Sequence, residues 1–191
     1  MRSLLVLIFA SCCFFAQAQV NTSSADQIKF PIADFSPADI VYFPLNTPKA
    51  KPAENVQPVM KVVYSRPQKK GREIFGILEQ FGKVWRLGAN ENTEIKFYSK
   101  VKIGDKKIKA GTYSLFAIPN KESWIIILNK NIDRWGAFTY DESKDVLRVE
   151  VPVQNLSKPL EYLSITFKEV KNGANMIIGW DKTVVELPIV F

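Results

Sequence analysis

Residues Val62 to Phe97 read VVYSRPQKKGREIFGILEQFGKVWRLGANENTEIKF. Both ends have the look of strands: Met60 to Ser65 runs up to Pro67, and in Glu94 to Tyr98 the residues Ile95 and Phe97 share one face while Lys96 and Tyr98 share the other. Between those ends Gly71, Gly76, Gly82 and Gly88 break every longer period. Glu73 to Phe81 has room for two turns of helix, but Gly76 in its middle costs about 1 kcal/mol against Ala. The expectation there is one short, irregular helix near 73–81. Gly88 to Asn92 (GANEN) is rich in residues that accept positive φ and predicts a tight turn.

Outward from this stretch the same grammar repeats. Asp39 to Leu45 (DIVYFPL) predicts an edge strand, since an edge tolerates Pro44, and Asn46 to Pro58 predicts a surface loop. Lys100 to Lys109 predicts a hairpin turning at Gly104-Asp105. Thr112 to Ile118 is a further strand. Trp124 to Leu128 (WIIIL) has no polar alternation and predicts a central strand covered on both faces. Asn129 to Asp141 is irregular. Val146 to Val153 and Tyr162 to Lys168 alternate cleanly, and Met176 to Trp180 with Thr183 to Ile189 predict a last hairpin about Asp181-Lys182. Nine or ten short antiparallel strands define an all-β fold, a two-layer antiparallel β-sandwich of jelly-roll type. A barrel would instead leave the Trp124 strand wet or ligand-facing on one side.

The 191 residues suit one domain. Arg2, the apolar run Leu4 to Ala10 and Ala16-Gln17-Ala18 predict a signal peptide over 1–18, followed by a flexible leader over 19–38 and a single β-rich domain over 39–191. The apolar run is too short to span a bilayer, so no integral membrane segment is expected after signal removal. Export places the chain in the periplasm or outside the cell. Lipid anchoring through Cys12 is the weaker reading, because Phe9 opens such a cleavage box poorly.

The two cysteines, Cys12 and Cys13, both fall inside the signal, and the chain has no histidine. Serine and cysteine triads built on histidine are therefore excluded, as are thiolate and imidazole metal sites. Asp133, Asp141, Glu142 and Asp145 fit no calcium loop, so neither a metal nor a cofactor is expected. The net charge is +7, spread over lysine clusters that read as solvated turns. No nucleic-acid motif accompanies them, and nucleic acid is not an expected partner.

Three constellations remain. Arg72 and Arg86 with Asn90 and Glu91 can form an anion or sugar pocket, because guanidinium forks and an amide offer convergent donors. The competing reading is a structural ion pair that ties the GREIFG turn to the GANEN turn, with Glu91 or Glu73 as partner for an inward Arg86. Trp85, beside Arg86, belongs to the same candidate site. Trp135, between Arg134 and Gly136 in the irregular stretch, is either an exposed platform for a glycan or a loop anchor. Finally, Glu73 and Glu91 could divide acid and base duties in a carbohydrate hydrolase.

The motifs YSRPQKKGREIFG (64–76), GKVWRLGANENTEIKF (82–97), AGTYSLFAIP (110–119) and WGAFTYDESKDVLRV (135–149) resemble the bacterial family of domains of unknown function numbered 2911 (DUF2911). This chain departs from its pattern at Leu87, where Thr is frequent, and at Asn92, where Ala is. The resemblance covers Ile40 onward. It implies an exported β-rich domain of the Bacteroidetes type and no established activity. The resulting expectation is a non-enzymatic module that binds a glycan or small anion in the cell envelope. The alternatives are a paired-glutamate carbohydrate hydrolase and a purely structural envelope protein.

Overall fold

The computed structural model describes Ala25 and residues 28–191. The signal-peptide segment 1–18, and the leader residues up to 24 with 26 and 27, lie outside the described residues. Two compact units are present, 1–32 and 33–191. In the first, the Ile28 amide donates to the Ala25 carbonyl at 3.1 Å.

The second unit holds nine strands among the described residues: β1 (Ala38–Phe43), β2 (Met60–Ser65), β3 (Thr93–Phe97), β4 (Val101–Ile103), β5 (Lys106–Ile108), β6 (Gly111–Pro119), β7 (Ser123–Asn129), β8 (Asp145–Val170) and β9 (Gly173–Val190). They hydrogen-bond in the order β1-β2-β3-β6-β7-β8-β9-β4-β5, with every neighbouring pair antiparallel. The edge strand, the Gly104-Asp105 hairpin and the central β7 follow the sequence pattern. β7 is covered on both sides: Trp124, Ile126 and Leu128 enter the core, while Ile127 on the opposite face is also fully buried. On that outer side the irregular stretch supplies a lid, with Tyr140 packed edge-on against Phe116 at 5.2 Å.

Two expectations are corrected. Residues 73–81 form no helix. Gly76 sits at φ +96°, outside the helical region, and the chain instead closes a tight loop through Glu79 N–H to Ile74 O and Gly76 N–H to Glu79 O, both 2.8 Å. Nor is there a hairpin at Asp181-Lys182. β9 continues unbroken through it, and the real reversal is at Lys171-Asn172, between β8 and β9.

What happens at Asp181 is a corner. The inward residues of β9 are Ala174, Met176, Ile178 and Trp180 on one side of it and Val185, Leu187 and Ile189 on the other, so the two-residue period slips there. Asp181 takes φ +51°, and β8 carries the surplus length. From Asn155 to Ser164 β8 spends nine residues, while its partners Thr183 to Gly179 span four. A ribbon whose outer strand is longer must bend toward the shorter one.

The bend makes the second layer. It folds the distal half of the β8–β9 ribbon back over the sheet, so that Phe43 of β1 meets Phe167 of β8 at 5.8 Å. The Tyr64 hydroxyl of β2 accepts from Ile165 N–H at 3.0 Å. The ribbon tip returns to the end of its own strand, where Phe191 N–H donates to Asn172 O at 3.2 Å. The architecture is an all-β, two-layer antiparallel sandwich with one core between the layers.

Candidate functional site

At the centre of that core four rings meet. Trp85 stacks on Trp180 at 6.0 Å and 19°, Trp124 stands edge-on to Trp85 at 5.8 Å, and Phe75 touches all three. Such pairs add about 0.5–1.5 kcal/mol each beyond area burial. They also position two loops. Phe75 anchors the 74–79 loop. Trp85 pairs with Ala117 of β6 through N–H···O bonds of 2.7 and 2.9 Å, and anchors the start of the 86–92 loop. Thr93 N–H to Arg86 O at 3.1 Å closes that second loop. Leu87 and Asn90 turn it with φ +55° and +60°.

Between these loops, over Trp180 as floor, lies a cleft of about 390 Å³. Arg86 reaches into it from one loop, Glu79 and Leu78 from the other, and Lys70 and Arg72 from the preceding turn. Arg72 is exposed and held from behind: its Nε donates to Lys69 O at 3.0 Å and its Nη2 to Gln68 O. Arg86 differs. Its Nε is sealed from solvent without a hydrogen-bond partner, and no carboxylate forms an ion pair with it among the described residues. An unsatisfied buried donor costs about 1–3 kcal/mol.

Glu79 faces both arginines without bonding either. Burial pushes its carboxyl up from 4.5 to about 7, against the pull of Arg86 first and Arg72 second. Desolvation therefore outweighs two cations. The cleft is thus a strongly basic one whose single acid is largely protonated below neutrality.

The expected site is divided by the fold. Arg72 and Arg86 share the cleft. Trp85 does not enter it, being 3 % exposed and stacked behind Trp180, with its Nε1 donating to Gly88 O at 3.2 Å. Asn90 serves the backbone, its carbonyl accepting from Gly136 N–H at 2.9 Å. Glu91 lines a different cleft of about 300 Å³, together with Glu94, Asp133 and Arg134. Trp135 is paired to Glu91 by an isolated antiparallel bridge and is 61 % exposed. Glu73 borders a third hollow beside Lys121 and Asp181. Glu73 and Glu91 therefore do not face one another across one groove, and neither is the partner of Arg86. Among the described residues no group of three acidic side chains is arranged to hold a metal ion.

Sequence reasoning passed over Glu79. Its signal was present: one carboxylate among Ile77, Leu78 and Phe81, in a loop bounded by glycines. Several other motif positions hold the fold together. Asn92, buried, donates from Nδ2 to Ser114 Oγ at 2.7 Å and accepts from Arg134 N–H at 2.8 Å, pinning the neighbouring loop. Tyr140, Asp145 and Arg148 close a triangle of hydrogen bonds of 2.6, 2.7 and 2.7 Å. Burial first, and then the Asp145 carboxylate, push the Tyr140 phenol up to about 12. Arg66 joins Asp39, Leu163 O and Ser164 Oγ across the two layers.

Fold and site together define an all-β domain with a basic cleft roofed by two loops on an aromatic floor. The chain belongs to the family described as a protein of unknown function, DUF2911, whose profile matches residues 48–189. The match takes in β2 to β8, β9 up to Ile189 and the loops that carry Arg72, Glu79 and Arg86, and leaves β1 and the cleft residues Phe35 and Ser36 outside. No curated protein and no solved structure matches the chain.

Proposed function

We propose that this domain is a non-catalytic binding module, acting in the periplasm or outside the cell, that holds a small anion in the Arg72–Arg86 cleft. The observation that carries the reading is Arg86. A guanidinium with one nitrogen sealed and unbonded, on a side chain that lines a cleft, is unfinished as a structural ion pair but suited to a ligand carboxylate or phosphate. Export rests on the sequence over 1–18.

The test is a thermal-shift panel of acetate, sulfate, phosphate and organic carboxylates against the full domain and against Arg86→Gln, with circular dichroism to establish that the variant folds. A stabilisation that grows with anion concentration and is lost in the variant is expected. No shift with any anion would overturn the reading. A bound anion also disfavours ionised Glu79, so affinity should fall as pH rises through about 7.

A second reading concerns glycans. Trp135 is a large exposed ring held on a pinned backbone, opposite Glu91, whose side chain projects to the same face of the bridge. A sugar stacking there would quench its fluorescence, and Trp135→Ala would abolish the response.

A further inference from the structure

We infer that the ligand of the basic cleft is an organic monocarboxylate with an apolar body, aliphatic or aromatic, and not a compact inorganic anion or a sugar acid. The inference rests on the anion reading above and narrows it to a chemical class.

Three observations carry it. The first is size: about 390 Å³ lies within the range of small organic ligands and leaves most of the cleft empty around an ion as compact as sulfate. The second is the lining. Beside the three cationic side chains the cleft presents Phe35, Leu78 and Trp180. Trp180 borders the cleft but is fully buried, so the apolar surface open to a ligand is that of Phe35 and Leu78, 69 % and 40 % exposed. The Lys70 ammonium sits 4.7 Å from the Phe35 ring centroid and holds that ring beside the cleft. Large apolar side chains left open singly are ordinary, but here they gather around one basic hollow.

The third is what the lining lacks. A hydroxyl-rich ligand needs several neutral donors and acceptors, and the lining offers only two such side chains, Ser36 and Gln68. The Gln68 side-chain amide donates to the Tyr162 hydroxyl at 2.6 Å, its backbone carbonyl already accepts from Arg72, and Asn90 lies elsewhere. Gly88 and Ala89, on the Arg86 side, add backbone and almost no side chain. A carboxylate matches the guanidinium fork of Arg86, and an apolar body covers the exposed Leu78 and Phe35.

The experiment compares binding of acetate, sulfate, octanoate and phenylacetate to the full domain by calorimetry, then repeats it with Leu78→Ser and Arg86→Gln. Octanoate or phenylacetate should bind about ten-fold or more tightly than acetate. Leu78→Ser should shrink that ratio, and Arg86→Gln should weaken every anion. If acetate or sulfate binds as tightly as octanoate, the apolar-body inference is overturned and the anion reading stands. If no probe binds, both fall. Should Leu78→Ser fail to fold, the ratio of octanoate to acetate on the unaltered domain decides alone.

Discussion

Glu79 lies beside two arginines and still keeps its proton to about pH 7, against 4.5 in the open chain. Between those values the folded state binds more protons than the unfolded one, so its contribution to stability is present below pH 4.5 and is lost as pH rises toward 7. The full effect is up to about 3 kcal/mol, reduced by whatever contact the half-buried side chain keeps with water. Glu79→Gln should therefore be more stable than the parent at pH 8 and equal to it at pH 4, measured by urea denaturation. Equal midpoints at pH 8 would show that Glu79 is solvated. Trp124 offers a second contrast at this scale. Its indole N–H is buried without a partner, whereas that of Trp180 donates to Glu161 O at 3.3 Å. Trp124→Phe should cost about 1 kcal/mol less than Trp180→Phe, because only the latter gives up a hydrogen bond, although Glu161 O keeps the one from Lys69 N–H.

Among the elements, two glycines matter in different ways, Gly173 in the β8–β9 ribbon and Gly82 in the loop before Trp85. A Cβ on Gly173 would stand 2.2 Å from the Ile189 carbonyl oxygen, where the ribbon tip lies on the end of its own strand. That obstacle is backbone and cannot rotate away. Gly173→Ala should cost more than about 3 kcal/mol or prevent folding, as severe overpacking does. Gly82, at φ +72° with no atom within 4 Å of the added carbon, is only a conformational cost. Gly82→Ala should lose about 1 kcal/mol in the same denaturation series. Comparable losses at the two positions would mean that the tip does not sit on β9 as described.

At the scale of the whole molecule, polar contacts join β2 and the segment after it to the distal ribbon, and Tyr64 makes one of them. Its hydroxyl accepts from the buried Ile165 N–H of the opposite layer at 3.0 Å. Burial raises the phenol above its ordinary value, so it stays protonated through the neutral range. Tyr64→Phe should cost about 1–3 kcal/mol, the price of an orphaned buried donor, and hydrogen exchange at Ile165 should quicken selectively. Exchange unchanged at Ile165 would show that the Tyr64 hydroxyl does not hold that amide.

Local pattern carried much of this. Alternation in β2, β3 and the first half of β8, the continuous apolar run of β7 and the Gly104-Asp105 turn are properties of neighbouring residues, and each could be read from the chain without knowing its partners. The absence of histidine, and of cysteine beyond 1–18, likewise excluded whole chemistries by composition alone. Tertiary structure decided the rest. Asp181-Lys182 reads as a turn because an aspartate and a lysine between apolar runs normally are one, yet it is a corner, since pairing with a longer β8 keeps the ribbon continuous. The site followed the same rule. Arg72 and Arg86 were visible as cations, but their acid, Glu79, and the separation of Glu91 from them depend on two loops hung from Phe75 and Trp85. Which charges share a cleft is set by where distant rings pack, and no spacing along the chain encodes that.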